Sequence, residues 1–297
     1  MPRKEIVKYL EDFGLPGRNI YELPTSQKRF PDGASWRSEE LPSKVSEYEE
    51  MFEVAKEHGY VINKITDTRG TMYDTDKELL RKLELCREYG TEVMMGPGGG
   101  EQEWDISHQL ALGQIVHGKI RGMDNIVTTI SEMMRATEMG CRGFLMYDEG
   151  LLYIACKMRK EGILPPDMKF KISANVSVAN AAAIKFWFSL LNPQDSCNPV
   201  RDLDLPMIAA MRQVVDNPLD IHVFWRTMAR TMSIPEIVRV GAPVYFKNAR
   251  FAPGVTNKER VMQGIRCAEV MKEFYPEAKQ SKPRAKGLAV PAEPSKH

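Results

Sequence analysis

The feature that most constrains this chain is an alternation, sustained from end to end, between short segments with strand character and longer amphipathic helical segments. Ile20 to Leu23 precedes a helical stretch from Ser43 to His58, Val61 to Thr66 precedes Asp76 to Tyr89, and Glu92 to Met95 precedes Asp124 to Met139. Arg142 to Tyr147 leads to Leu151 to Glu161, Lys169 to Val176 to an alanine-rich stretch from Val178 to Leu191, and Ser196 to Val200 to Asp204 to Val215. Leu219 to Trp225 with Ile234 to Val240, and Pro243 to Asn248 with Asn257 to Phe274, complete eight units. Strands separated by helices pair in parallel through crossovers, and eight units within roughly 250 residues is the size of a (β/α)8 TIM barrel. Thr256 with Glu259 and Ser233 with Glu236 have capping-box spacing, Asp204 with Pro206 starts another helix, and Gly59, Gly90, Gly140, Gly162 and Gly241 punctuate helix ends. An open doubly wound sheet lacks its fingerprint, because no G-x-G-x-x-G follows the first strand.

This reading makes residues 1–277 one barrel domain. Within it, Gly96 to Gly122 forms an unusually long third βα connection, a lid over the mouth to which Glu101 contributes, with a β-ribbon in its second half. The tail over 278–297, rich in proline, lysine and small residues, reads as disordered or as an arm over a neighbouring subunit of a homo-oligomer.

Composition narrows the function classes. With 43% hydrophobic residues, 27% charged residues and a formal net charge of +1, no nucleic-acid or membrane partner is expected. The N-terminus lacks the apolar core of a signal peptide and no run reaches transmembrane length, so a soluble cytoplasmic protein is expected. Cys86, Cys141, Cys156, Cys197 and Cys267 contain no C-x-x-C pair and read as reduced, mostly buried thiols rather than a disulfide framework, zinc knuckle or iron–sulfur site. The glycines from 98 to 100 lack a following Gly-Lys-Ser/Thr, so no nucleotide is expected, and neither Gly-x-Ser-x-Gly nor His-Glu-x-x-His occurs.

The fifth strand raises the chemical question. Phe170, Ile172, Ala174 and Val176 alternate with Lys169, Lys171, Ser173 and Asn175. In a barrel the apolar set faces the helices, which turns Lys171, Ser173 and Asn175 inward. The seventh strand repeats this, with Ile221 and Val223 outward and Asp220 and His222 inward. A buried lysine demands a carboxylate, and Asp220, Asp148 and Glu22 are the candidates. Each residue also has a plainer role: His222 as a core imidazole, Lys171 with Asp220 as a structural ion pair, Asp148 as a helix N-cap, and His58, His108 and His117 as surface or loop residues.

Three stretches, CRGFLMYDEGLLYIACKMRKEGILPPDMKFKISANVSVANAAAIKFW (141–187), DSCNPVRDLDLPMIAAMRQVVDNPLDIHVF (195–224) and GAPVYFKNA (241–249), resemble the collagenase-like peptidases of family U thirty-two and their barrel-only relatives. The residues that carry the resemblance are Asp148-Glu149-Gly150, Asn198-Pro199-Val200, Pro218 to Val223 and Ala242 to Lys247. The resemblance implies a (β/α)8 fold with its site at the strand C-termini. The His-Gly-x-Cys signature of the peptidase and iron–sulfur branches is absent, since Val-Phe-Trp-Arg follows His222, and no iron–sulfur cluster is expected.

The expected function is an enzyme acting at the C-terminal mouth on a small polar, carboxylate-bearing metabolite by acid/base chemistry of lyase or isomerase type. Asp148, Glu149, His222 and Lys171 are the candidate catalytic groups, with Lys64, Arg69, Asn175, Asn198, Arg226 and Lys247 holding substrate. Glu22, Asp148 and His222 form an alternative site for a divalent cation, magnesium, manganese or zinc. A Schiff base on Lys171 or Lys247, peptide hydrolysis, and a non-catalytic ligand-binding barrel or complex subunit are the competing readings.

Overall fold

The computed structural model describes residues 2–99, 119–201, 203–223, 234–248 and 256–295. Eight parallel strands close a barrel in sequence order: β1 Trp36–Glu40, β2 Lys64–Asp67, β3 Glu92–Met95, β4 Gly143–Met146, β5 Lys169–Ile172, β6 Ser196–Cys197, β7 Leu219–His222 and β8 Val244–Lys247, with β1 pairing β8. Around them lie α2 Val45–Glu57, α3 Asp76–Tyr89, α4 Gly122–Glu138, α5 Glu149–Lys160, α6 Ala181–Phe188, α7 Leu205–Val214, α8 Ile234–Gly241 and α9 Asn257–Phe274, after an N-terminal α1 Arg3–Asp12. The expected (β/α)8 barrel is therefore the fold.

Alternation along the strands decides what faces where. Val93, Met95, Phe144, Met146, Phe170 and Ile172 belong to the large apolar cluster between strands and helices. The intervening residues point into the lumen, because their side chains bond across it to strands that are not neighbours. Glu92 of β3 meets Lys169 of β5, and Lys64 of β2 meets Asp220 of β7. Barrel interiors are ordinarily filled by branched apolar residues; this one is filled largely by ion pairs.

Four sequence expectations need correction. The segment from Ile20 to Leu23 is not the first strand; β1 starts at Trp36. Its sequence, WRSEE, hides the strand because polar residues occupy both faces. Ser38 and Glu40 point outward yet are satisfied, Ser38 by Val61 and Asn63, Glu40 by Tyr60 and Asn248. The second correction follows from the first. Glu22 is exposed and pairs with Arg18 at 2.7 Å on the surface, so it cannot share a cation site with Asp148 and His222.

Third, β5 ends at Ile172. The Ser173 hydroxyl accepts from the Asn175 N–H and starts a 3-10 turn, Ala174–Val176, so Asn175 is half-buried in that turn rather than on the strand. The following helix is shorter than the alanine-rich stretch, with Asn180 capping the Ala183 N–H at 2.9 Å.

Fourth, the tail from 278 is ordered along its described length and closes the N-terminal end of the barrel. Its backbone bonds to the strand and helix starts and ends it crosses: Ser35 N–H to Lys279 O (2.8 Å), Arg284 N–H to Gly90 O (2.8 Å) and Ala292 N–H to Gly140 O (2.8 Å). A Cβ on Gly140, whose φ is +102°, would stand 2.1 Å from the Ala292 carbonyl oxygen, so this glycine is required for the approach. Composition misled here because proline-rich, lysine-rich tails are usually solvated, whereas this one meets buried cations that need its carbonyls. The β-ribbon, Glu101, His108 and His117, and the Ser233 cap, lie outside the described residues. The other two expected caps are in place: Asp204 accepts from Met207 N–H at 2.9 Å, and Thr256 with Glu259 forms a reciprocal box. His58 is an exposed C-cap of α2. None of the five cysteines forms a disulfide; four are buried and Cys156 is half-buried.

Candidate active site

The lumen is organised in storeys. At the N-terminal end, Glu92 accepts from Lys169 at 2.9 Å and from the Tyr245 hydroxyl at 2.6 Å, and Arg37 donates to Tyr245 at 2.9 Å. Burial alone would raise the Glu92 carboxyl, but Lys169, Lys64 and Arg37 outweigh it and hold it down at about 2.

Above this base, Lys64 donates to Asp220 at 2.8 Å and to Ser196 at 3.1 Å, with its ammonium 3.3 Å from the centroid of the Tyr245 ring. Lys171 donates to Glu39 and, at 3.1 Å, to Thr66, and stands 3.6 Å from Asp220. Glu39, Lys171 and Asp220 are all fully buried. Lys171 thus has the carboxylates that burial of a lysine requires.

Toward the C-terminal mouth, strand register sets Glu39, Lys247 and His222 side by side on β1, β8 and β7. Lys247 donates to Asn198 Oδ1 at 2.9 Å and lies 4.0 Å from Glu39, while Asn198 Nδ2 donates to the Asp220 carbonyl at 2.7 Å.

The electrostatics divide the two central carboxyls. Burial raises Glu39, and Asp220 beside it raises it further, more than Lys171 and Lys247 lower it. Asp220 moves the other way: burial is outweighed by Lys171 and Lys64 and by a hydrogen bond from Glu39. The pair is thus pushed apart, Glu39 upward and Asp220 downward, so Glu39 is the member that takes up a proton first. His222 is pushed well below the usual imidazole range by burial and then by Lys247, Arg201 and Lys171, so it is neutral at physiological pH. Among the described residues, the lumen carries Arg37, Lys64, Lys169, Lys171 and Lys247 against Glu39, Glu92 and Asp220. It is a cationic interior with an upward-shifted acid and a neutral imidazole near its mouth.

Of the residues singled out in the sequence, Lys64, Lys171, Asn198, His222 and Lys247 come together. Asp148 and Glu149 do not join them. One Asp148 oxygen caps α5 through Leu151 N–H at 2.9 Å and the other accepts from Ile120 N–H at 3.0 Å. Glu149 pairs with Lys119 at 2.5 Å. Both residues therefore anchor the returning end of the long connection. Arg69 is half-exposed beyond β2 and meets Asp74 at 3.5 Å. Arg226 lies outside the described residues. No group of three or more His, Cys, Asp or Glu side chains that could hold a metal ion occurs among the described residues.

Sequence reasoning missed Glu39, Glu92, Lys169 and Thr66. For Glu92 and Lys169 the signal was present, since each is the inward residue at the start of a correctly placed strand. Glu39 had none of its own, because a strand polar on both faces leaves no period to read.

No family model matches the chain, and no curated protein matches it, so membership of family U thirty-two is not shown. Among solved structures it is similar to a native KDPGal structure at 10% identity, covering 84% of this chain and 98% of that one with a TM-score of 0.48. It is similar to a peptidase of family U thirty-two at 12% identity, covering 78% and 99% with a TM-score of 0.45. It is also similar to a phospho-2-dehydro-3-deoxyheptonate aldolase from Thermotoga maritima at 11% identity, covering 92% and 77% with a TM-score of 0.48. At these identities the likeness is one of barrel architecture and carries no argument about function, which rests on the lumen itself.

Proposed function

We propose that this chain is an enzyme that moves a proton on a small, polar, carboxylate-bearing metabolite at the C-terminal mouth of the barrel, in a reaction of lyase or isomerase type. The observation that carries the reading is the convergence of Glu39 and Asp220 on Lys171 inside a lysine-lined lumen, the two carboxyls shifted in opposite directions, with neutral His222 on the same storey. Neighbouring titratable groups pushed in opposite directions are what acid/base catalysis requires. In this reading Lys247, positioned by Asn198, and Lys171 hold the substrate carboxylate and stabilise the charge that develops next to it. His222 accepts a proton from the carbon beside the carboxylate or carbonyl, and Glu39 supplies one to the departing or rearranging group. Asp220 stays ionised as the countercharge beside Lys64 and Lys171.

The test is solvent exchange. The protein is incubated in deuterium oxide with a panel of small 2-oxo and 2-hydroxy acids and the carbon-bound protons are followed by NMR. The reading expects protein-dependent loss of the proton next to the carbonyl of a 2-oxo acid or next to the carboxylate of a 2-hydroxy acid for at least one member, abolished by His222→Asn in a folded variant. Peptide cleavage without exchange would select the hydrolase alternative, and neither activity would leave a ligand-binding barrel.

A further inference from the structure

A cavity of about 270 Å³ lies at the N-terminal end of the barrel, opposite the proposed active site. Its inner boundary includes Arg37 and Lys169, which are 1% and 4% exposed. Its lining is largely apolar, with Phe30, Pro31, Pro193 and, before β7 and β8, Pro218 and Pro243. Gly287 of the C-terminal tail completes the wall, and Gln194 and Arg29 stand at the rim.

We propose that this basal cavity is a ligand site for a small organic anion, a single carboxylate on a flat apolar body. Three features select that class. The buried charges bordering the space are the cations Arg37 and Lys169, bonded within the fold to Tyr245, Ser281 and Asp32 and to Glu92 respectively, and the carboxylate at its edge, Asp216, is paired with Lys28 at 2.5 Å. The walls offer proline rings and a phenyl ring rather than polar partners, which suits a planar hydrocarbon and not a hydrated ion such as phosphate. The volume, near the lower end for ligand pockets, fits a molecule the size of an aromatic acid.

The cavity is also wired to the lumen. Lys169 divides its bonds between Glu92 and the Gly287 carbonyl, and Glu92 lies 3.6 Å from Lys64, the partner of Asp220. A carboxylate beside Lys169 competes with Glu92 for that ammonium, so occupancy is felt along Glu92, Lys64 and Asp220.

Calorimetric titration with benzoate tests the proposal, with acetate and inorganic phosphate as head-group controls. The expected result is one saturable benzoate site with millimolar or better affinity, and weaker binding of both controls. Lys169→Met should weaken benzoate about tenfold or more through loss of a charge-assisted bond. Because that variant strands Glu92, Gln194→Trp provides an independent check. It blocks the rim without touching a buried ion pair and should abolish binding while the fold, followed by circular dichroism, is kept. Lys247→Met, at the far mouth, should leave benzoate binding unchanged, which separates this site from the proposed active site. The proposal is overturned by absence of benzoate binding at about 10 mM, by binding that survives Gln194→Trp or is lost in Lys247→Met, or by phosphate binding as tightly as benzoate.

Discussion

Glu39 and Asp220 are both fully buried carboxyls beside Lys171, yet their surroundings shift them in opposite directions, and a proton on Glu39, which the proposed acid role requires, is measurable as stability. Glu39→Gln replaces a neutral acid by a neutral amide of the same shape. Its oxygen still accepts from Lys171 and its N–H still donates toward Asp220, so the cost should stay within about 1 kcal/mol. Asp220→Asn removes the countercharge of Lys64 at 2.8 Å and of Lys171 at 3.6 Å and leaves two cations in a space already rich in them. Breaking a buried pair in this way costs about 3–5 kcal/mol. Urea unfolding at neutral pH, comparing midpoints at equal slope, should therefore separate the variants by roughly 2–4 kcal/mol. Equal destabilisation by both substitutions, or a larger loss in Glu39→Gln, would refute the assignment of the proton to Glu39.

Three further outcomes follow from the packing. Glu40 is buried against α9, accepting from Asn248 at 2.7 Å and Tyr60 at 3.2 Å, and burial, the largest cause, pushes it from 4.5 up to about 8. The folded chain therefore holds a proton that the unfolded chain releases first, and the stability tied to this site is present below pH about 4.5 and is lost as pH rises toward about 8. Glu40→Gln, which keeps the neutral form, should gain on the wild type progressively across that window, by an amount on the order of a few kcal/mol at its upper end; parallel pH–stability curves for the two would count against it. Deleting residues 278–297 strips Arg37 of its bonds to Ser281 and Lys286 and Glu92 of its bond from Ala289 N–H, so thermal unfolding should fall steeply, whereas an unchanged midpoint would mean that the tail does not close the barrel. Asp148→Ala should cost about 1–2 kcal/mol, the value of an N-cap, and leave the solvent-exchange chemistry of the folded protein in place; loss of chemistry at intact stability would restore Asp148 as a catalytic group.

How far the sequence could be read depended on whether hydrophobic period and chemistry agreed locally. The boundaries of β3, α3 and α9 were legible to the residue because apolar spacing, caps and terminal glycines all pointed the same way. The inward placement of Lys171, Asp220 and His222 was legible from alternation alone, since Phe170, Ile172 and Ile221 had to face helices. Glu39 was not, because WRSEE buries polar side chains on both faces and only tertiary partners, Tyr60, Asn63 and Asn248 among them, make that tolerable. The same limit explains Asp148: a carboxylate after a strand reads equally as a cap or a base, and only the paired N–H groups of Leu151 and Ile120 decide. The tail was misjudged because its affinity for the barrel lies in its carbonyls and N–H groups, which composition does not display.

The proposed acid requires one proton on Glu39 inside the barrel, and infrared spectroscopy observes such a proton directly. A difference spectrum between the wild type and Glu39→Gln at neutral pH isolates the Glu39 carboxyl from the neutral Glu40, which is common to both proteins. The expected wild-type contribution is the carbonyl stretch of a protonated carboxylic acid, persisting from pH 6 to pH 8 and shifting in deuterium oxide. Carboxylate stretches in its place would show Glu39 ionised beside Asp220 and would contradict the proposed acid.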